Sequence, residues 1–177
     1  MAKIAFSKLG LTKDKLDEFQ TVEFNDQTVE VKQYLPIAEK AELISRVLNN
    51  SVDDDAGYYN NLKLDMWLAL EIVYAYSNIN FTEKQKSDPM KLYDLLSSNK
   101  LLNLIIGLVP ESEFYYLTKV THELATAIYT YRNSALGILD SIGRDYSNLN
   151  LDATEIQKKL ADPKNLTLLK NVVEKLG

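Results

Sequence analysis

The stretch from Pro110 to Ile142 constrains this chain most. Phe114, Leu117, Thr121, Leu124, Ile128, Tyr131, Ala135, Ile138 and Ile142 follow one another in steps of three and four. At 3.6 residues per turn that spacing gathers them on one side of a helix. Pro110 suits a first helical position, where its missing N–H costs nothing, and Glu111 and Glu113 follow where the helix dipole favours negative charge. Gly137 is an expected weak point and Gly143 an expected stop. A helix of about 33 residues would be roughly 50 Å long, so the other elements are expected to pack along it. The stripe faces either the rest of the chain or a second copy. Thr121, Tyr131 and Ala135 make a poor coiled-coil seam and favour the first.

The clearest β signal lies near the N-terminus. Thr21-Val22-Glu23-Phe24 and Thr28-Val29-Glu30-Val31-Lys32-Gln33-Tyr34 alternate apolar and polar residues, the period of a half-buried strand. Asn25-Asp26-Gln27 reads as a three-residue polar connection, since Asn and Asp tolerate the left-handed backbone of a tight turn. A lone hairpin is marginal in water, so this one is expected to lie on the helical body, gain a third strand or pair with a partner.

Pro36 to about Asn49 predicts a helix with Ile37, Ala41, Ile44 and Leu48 inside, Leu43 and Val47 beside them, and Glu39, Lys40, Glu42 and Arg46 outside. Asn61 to Asn78 is apolar around its whole circumference and predicts a helix buried on most sides, with Trp67 in the core. Asn78 to Lys86 reads as a polar break. Asp88-Pro89 is a cap-and-start signal for a helix interrupted at Ser97-Ser98-Asn99, and Leu101 to Val109 makes another short helix. Asp152 with Glu155, and Asp162 with Pro163, open two final short helices. The expected fold is mainly α: a helical bundle around one long helix, with a small N-terminal β-hairpin. The expected divisions are an arm and hairpin over 1–35, a helical body over 36–143 and a helical hairpin over 144–177, together one compact domain.

Composition narrows the functions. The 177 residues are 46% hydrophobic and carry a net charge of −5, which suits a domain with a sizeable core. An acidic balance disfavours nucleic acid or anionic membrane as the main partner, since both reward clustered Lys and Arg. There is no cysteine, which removes disulfides and thiolate chemistry. Charges interrupt every apolar run before it could span a bilayer.

Catalytic signals are sparse. His122 is the single histidine, with no His or Cys to share a zinc ion, and neighbouring Glu123 faces another direction. Asp65 and Glu71 stand on different sides of their helix. Asp53-Asp54-Asp55 lacks the alternating ligands of a calcium loop and reads as a solvated acidic loop. No glycine pattern cradles a phosphate. No catalytic, metal or cofactor-binding residue is assigned, and neither an enzyme nor a cofactor is expected. The eleven tyrosines carry the interest, because an apolar ring with a polar tip suits protein interfaces. The candidate interface comprises Phe24, Val29, Val31 and Tyr34 from the hairpin, and Tyr58, Tyr59, Tyr115, Tyr116 and Tyr129 beyond it.

Four stretches carry a resemblance. They are Lys3-Ile4-Ala5-Phe6-Ser7-Lys8-Leu9-Gly10-Leu11, the hairpin from Val22 to Pro36, Asn133-Ser134-Ala135-Leu136-Gly137-Ile138-Leu139, and Ile156-Gln157-Lys158-Lys159-Leu160-Ala161-Asp162-Pro163. The chain resembles small acidic virion-assembly proteins of tailed bacteriophages infecting low-GC Gram-positive bacteria. Among these it is similar in size and helix content to tail assembly chaperones, which hold tail proteins soluble before they polymerise. A head–tail connector or another minor virion structural protein is the alternative within that group. The resemblance implies a non-enzymatic morphogenesis protein. Its partners would be phage structural proteins or further copies of itself, and its place the host cytoplasm during assembly or the virion. A reading from a different class is a phage-encoded inhibitor whose acidic surface blocks a host defence protein.

Overall fold

The computed structural model describes residues 3–12, 14–52, 59–134 and 136–137. The fold is mainly helical with a small antiparallel N-terminal hairpin, as expected. Two 3-10 turns, Phe6–Leu9 and Asp14–Asp17, lead into strands β1 (Phe19–Phe24) and β2 (Gln27–Lys32). Helices α1 (Ile37–Ser51), α2 (Asn61–Tyr76), α3 (Glu83–Lys86), α4 (Pro89–Ser98), α5 (Leu101–Leu108) and α6 (Glu111–Arg132) follow. The chain forms two compact units, Met1–Tyr129 and Thr130–Gly177. The expected joint at residue 143, the expected helical hairpin over 144–177 and the Asp53-Asp54-Asp55 loop lie outside the described residues.

In the first unit α2 is the buried centre. Leu64, Leu68, Leu70, Ile72, Val73 and Tyr76 are buried, and Met66, Trp67, Ala69, Tyr74 and Ala75 pack against the same core half-exposed. Helices α1, α4 and α5 pack on it. Asn60 caps α2 by accepting from Lys63 N at 3.2 Å, and Asp88 caps α4 in the same way. The expected polar break holds a further helix, α3, closed by a reciprocal capping box between Thr82 and Gln85. Lys100 takes a left-handed conformation, φ 63°, to turn α4 into α5.

Three expectations need correction. The hairpin connection is Asn25-Asp26 alone, with φ of 49° and 61°, and Gln27 belongs to β2. Two consecutive positive φ values make the turn whose twist matches antiparallel strands. The long helix stops at Arg132 instead of running to Ile142. Ser134 donates through both N–H and hydroxyl to Tyr131 O and accepts from Gly137 N, so local capping bonds replace helical ones. A Cβ at Gly137 would collide with the Tyr131 carbonyl. That glycine allows a close return of the chain and is not a flaw in a continuing helix.

The third correction concerns which faces are buried. On α1 the buried set is Lys40, Leu43, Ile44, Val47, Leu48 and Ser51, while Ile37 is exposed. On α6 it is Glu113, Leu117, Thr121 and Ala125, while Leu124 and Tyr131 are exposed. Both helices are turned so that one charged residue points inward, and the two charges meet. Lys40 Nζ lies 2.7 Å from Glu113 Oε1. Glu113 Oε2 accepts from Tyr76 OH at 2.8 Å and from Leu35 N at 3.2 Å. Lys40 Nζ also stands 4.3 Å from the centre of the Tyr34 ring and 5.4 Å from that of Tyr116. A buried charge is tolerated only when paired and hydrogen-bonded, and this carboxylate receives three donors. The node joins α1, α2, α6 and the end of the hairpin. Burial, then the bond to Glu113, pushes the Tyr76 hydroxyl far above the ordinary tyrosine range.

Candidate protein-binding surface

The hairpin turns one face inward. The register pairs Val22 with Val29 and Phe24 with Gln27, so Val22, Phe24, Val29 and Val31 share that face. Val29 and Val31 are buried in the core, and Val22 and Phe24 are partly covered. Val29 and Val31 therefore leave the candidate interface: the helical body already occupies the face they line. Gln33 Nε2 fixes the end of the hairpin by donating to Leu108 O at 3.0 Å.

The two edges of the hairpin differ. Glu30 spends both outward backbone groups on Asn78, just beyond α2: Asn78 N donates to Glu30 O at 3.2 Å, and Glu30 N donates to Asn78 Oδ1 at 3.1 Å. Val31 also bridges Ser77. The edge of β2 is thereby closed. This fixes the phase of the ladder, because Glu30 faces Thr21 and neither bonds the other; Gln33 N bonding Glu18 O at 2.8 Å agrees. The backbone groups of Phe19, Thr21 and Glu23 therefore point away from β2, and no other described residue bonds them.

Among the described residues, the arm before β1 holds a run of exposed apolar side chains. Phe6 is 76% exposed and Phe19 48%, and Ile4, Leu9, Leu11 and Leu16 also face solvent. Sequence reading did not place these residues at an interface. The available signal was several large apolar side chains over 3–19 without a helical or strand period to bury them together.

The tyrosines divide. Tyr34 and Tyr116 flank Lys40, and Tyr116 borders an open apolar groove of about 270 Å³ between α1 and α6, with Ile37, Ala41, Ile44, Val120 and Leu124. Tyr59 and Tyr129 share a different open pocket of about 270 Å³ with Asn61, Leu64, His122 and Thr126. Tyr115 is exposed elsewhere on α6, its ring centre 6.0 Å from Lys119 Nζ. Tyr58 lies outside the described residues.

His122 has a partner that local sequence did not supply. Its Nε2 lies 3.0 Å from Asp65 Oδ1, across from α6 to α2. A carboxylate beside an imidazole is two-thirds of a hydrolytic triad. The nearby Thr126 hydroxyl donates to the His122 carbonyl at 2.8 Å and not to the ring. Arg46 Nε reaches Glu71 Oε2 at 2.8 Å, and burial outweighs that arginine in raising the Glu71 carboxyl above its usual range. Among the described residues, no group of three His, Asp or Glu side chains is placed to hold a metal ion, and no helix is long and apolar enough to cross a membrane.

No protein-family model, no curated protein and no solved structure matches the chain.

Proposed function

We propose that this chain is a non-enzymatic bacteriophage morphogenesis protein that works by binding other proteins, in the manner of a tail assembly chaperone. The observation that carries the reading is the exposed arm before β1, leading into a strand whose outward edge no other described residue pairs. Full burial of one Phe, Leu or Ile side chain contributes about 1.5–3 kcal/mol. Such residues left in water beside an open edge create a risk of aggregation unless a partner covers them. A chaperone uses the same surface productively. It covers the apolar segment of a tail subunit until that subunit meets the growing tail. The phage context rests on the resemblance of Lys3 to Leu11, the hairpin and two later stretches.

The test is co-expression of the tagged chain with the structural proteins encoded beside its gene, followed by capture and by mass spectrometry of purified particles. A chaperone holds a tail protein in the soluble fraction and is missing from finished particles. Stoichiometric presence in particles would assign it instead to the connector or other minor virion proteins. Failure to capture any phage protein, with a host protein retained, would replace the reading by inhibition of a host factor.

A further inference from the structure

The outward edge of β1 offers three N–H donors and three C=O acceptors, one of each from Phe19, Thr21 and Glu23. Only another extended segment satisfies such a row completely. The side chains around the edge specify that segment further. Residues 19–26, which form β1 and the turn after it, contain Glu23 and Asp26 and no basic residue. On the outer face of the hairpin stand Glu23 and Glu30, opposite neighbours of Thr28 and Thr21. Lys32 on the same face is engaged by Glu39 at 3.6 Å. On the inner face Val22 and Phe24 are only partly covered.

We infer that β1 accepts an extended partner segment alternating basic and apolar side chains, which adds to the hairpin as a third strand. The period of two in the added strand puts its basic residues on the outer face, beside Glu23, and its apolar residues on the inner face beside Val22 and Phe24. A second copy of the chain is the poorer occupant, because pairing β1 with itself sets two acidic stretches side by side. The inference rests on the protein-binding function proposed above and names the kind of segment that function recognises.

The experiment uses the full chain and a fluorescent synthetic heptapeptide alternating lysine with valine. Fluorescence anisotropy reads binding at low and high salt, with a glutamate-for-lysine peptide as control. The lysine peptide is expected to bind, to weaken about tenfold or more as salt screens the charges, and to outcompete the glutamate peptide. Thr21→Pro removes an outward N–H and leaves the ladder to β2 intact, since proline is compatible with an open edge. It should abolish binding while circular dichroism stays unchanged. Glu23→Lys, which alters no backbone group, should reduce binding of the lysine peptide and serves if the proline variant fails to fold. Equal binding of both peptides, or binding indifferent to both substitutions, overturns the inference. So does a dimer in sedimentation that Thr21→Pro dissociates. If the proline variant still captures its phage partner, the strand-addition inference fails while the protein-binding function stands. If the wild-type chain captures no partner, that function fails independently of the peptide result.

Discussion

The Lys40–Glu113 node and the β1 edge invert the usual distribution of groups. At the node, two charges are buried, and the carboxylate that holds them has every neighbour it needs: an ammonium, a phenol and a backbone amide. At the edge and its arm, apolar side chains are exposed and backbone groups have no bond to another described residue. The node shows what this chain does with polar groups that serve the fold itself: it completes their bonds internally. The edge is left incomplete by that standard. The contrast fits a stabilising role for the first region and the proposed recognition role for the second.

The largest test of this contrast is Glu113→Ala. It leaves Lys40 buried without its counter-charge and Tyr76 without an acceptor, and should cost about 3–5 kcal/mol, read as a lower denaturation midpoint in urea. A loss below about 1 kcal/mol would mean that water reaches the node freely. Thr121→Val tests the same interior from the opposite side. The Thr121 hydroxyl is fully buried and has no partner among the described residues, so an isosteric methyl should raise stability, by up to about 1 kcal/mol. A destabilised variant would reveal an unrecognised acceptor.

Protonation gives a third, smaller test. The folded-state carboxyl of Glu71 is raised above its unfolded value, so the native chain holds that proton more tightly. Its ionisation therefore weakens the fold as pH rises from the unfolded value through the folded one, and lowering the pH across the same window restores stability. Melting of wild type and Glu71→Gln should differ at neutral pH and converge at acid pH, where the protonated carboxyl and the amide are alike. With burial dominant, Glu71→Gln is the more stable of the two at neutral pH; a wild type more stable there would give the dominant role to the Arg46 pair. Smallest of all, Phe6→Ala should change stability by less than about 0.5 kcal/mol and yet reduce partner capture. A large loss of stability there would move the arm from recognition to the core.

Much of the architecture was legible in local pattern. Alternation gave the hairpin, the uninterrupted apolar run gave the buried α2, and Asp88-Pro89 gave the start of α4. Less of the surface was. Val29 and Val31 have the period of a strand, but period two shows only that they share a face, not whether that face meets solvent or helices. The stop of α6 at Arg132 was also hidden, because the apolar stripe continues in sequence after the Ser134 and Gly137 bonds have turned the chain. His122 found Asp65 across 57 positions, beyond the reach of any local spacing rule.

By itself the sequence determined that the hairpin, α1, α2, α4 and α5 form, because those choices depend on neighbours a few residues apart. Only the tertiary structure decided which way each helix faces, that Lys40 and Glu113 meet in the interior, and that Asn78 closes one edge of the hairpin while no described residue closes the other. Those outcomes depend on the pairing of groups far apart in the chain. The free energy of a buried charge or an unspent amide is set by what packing brings to it.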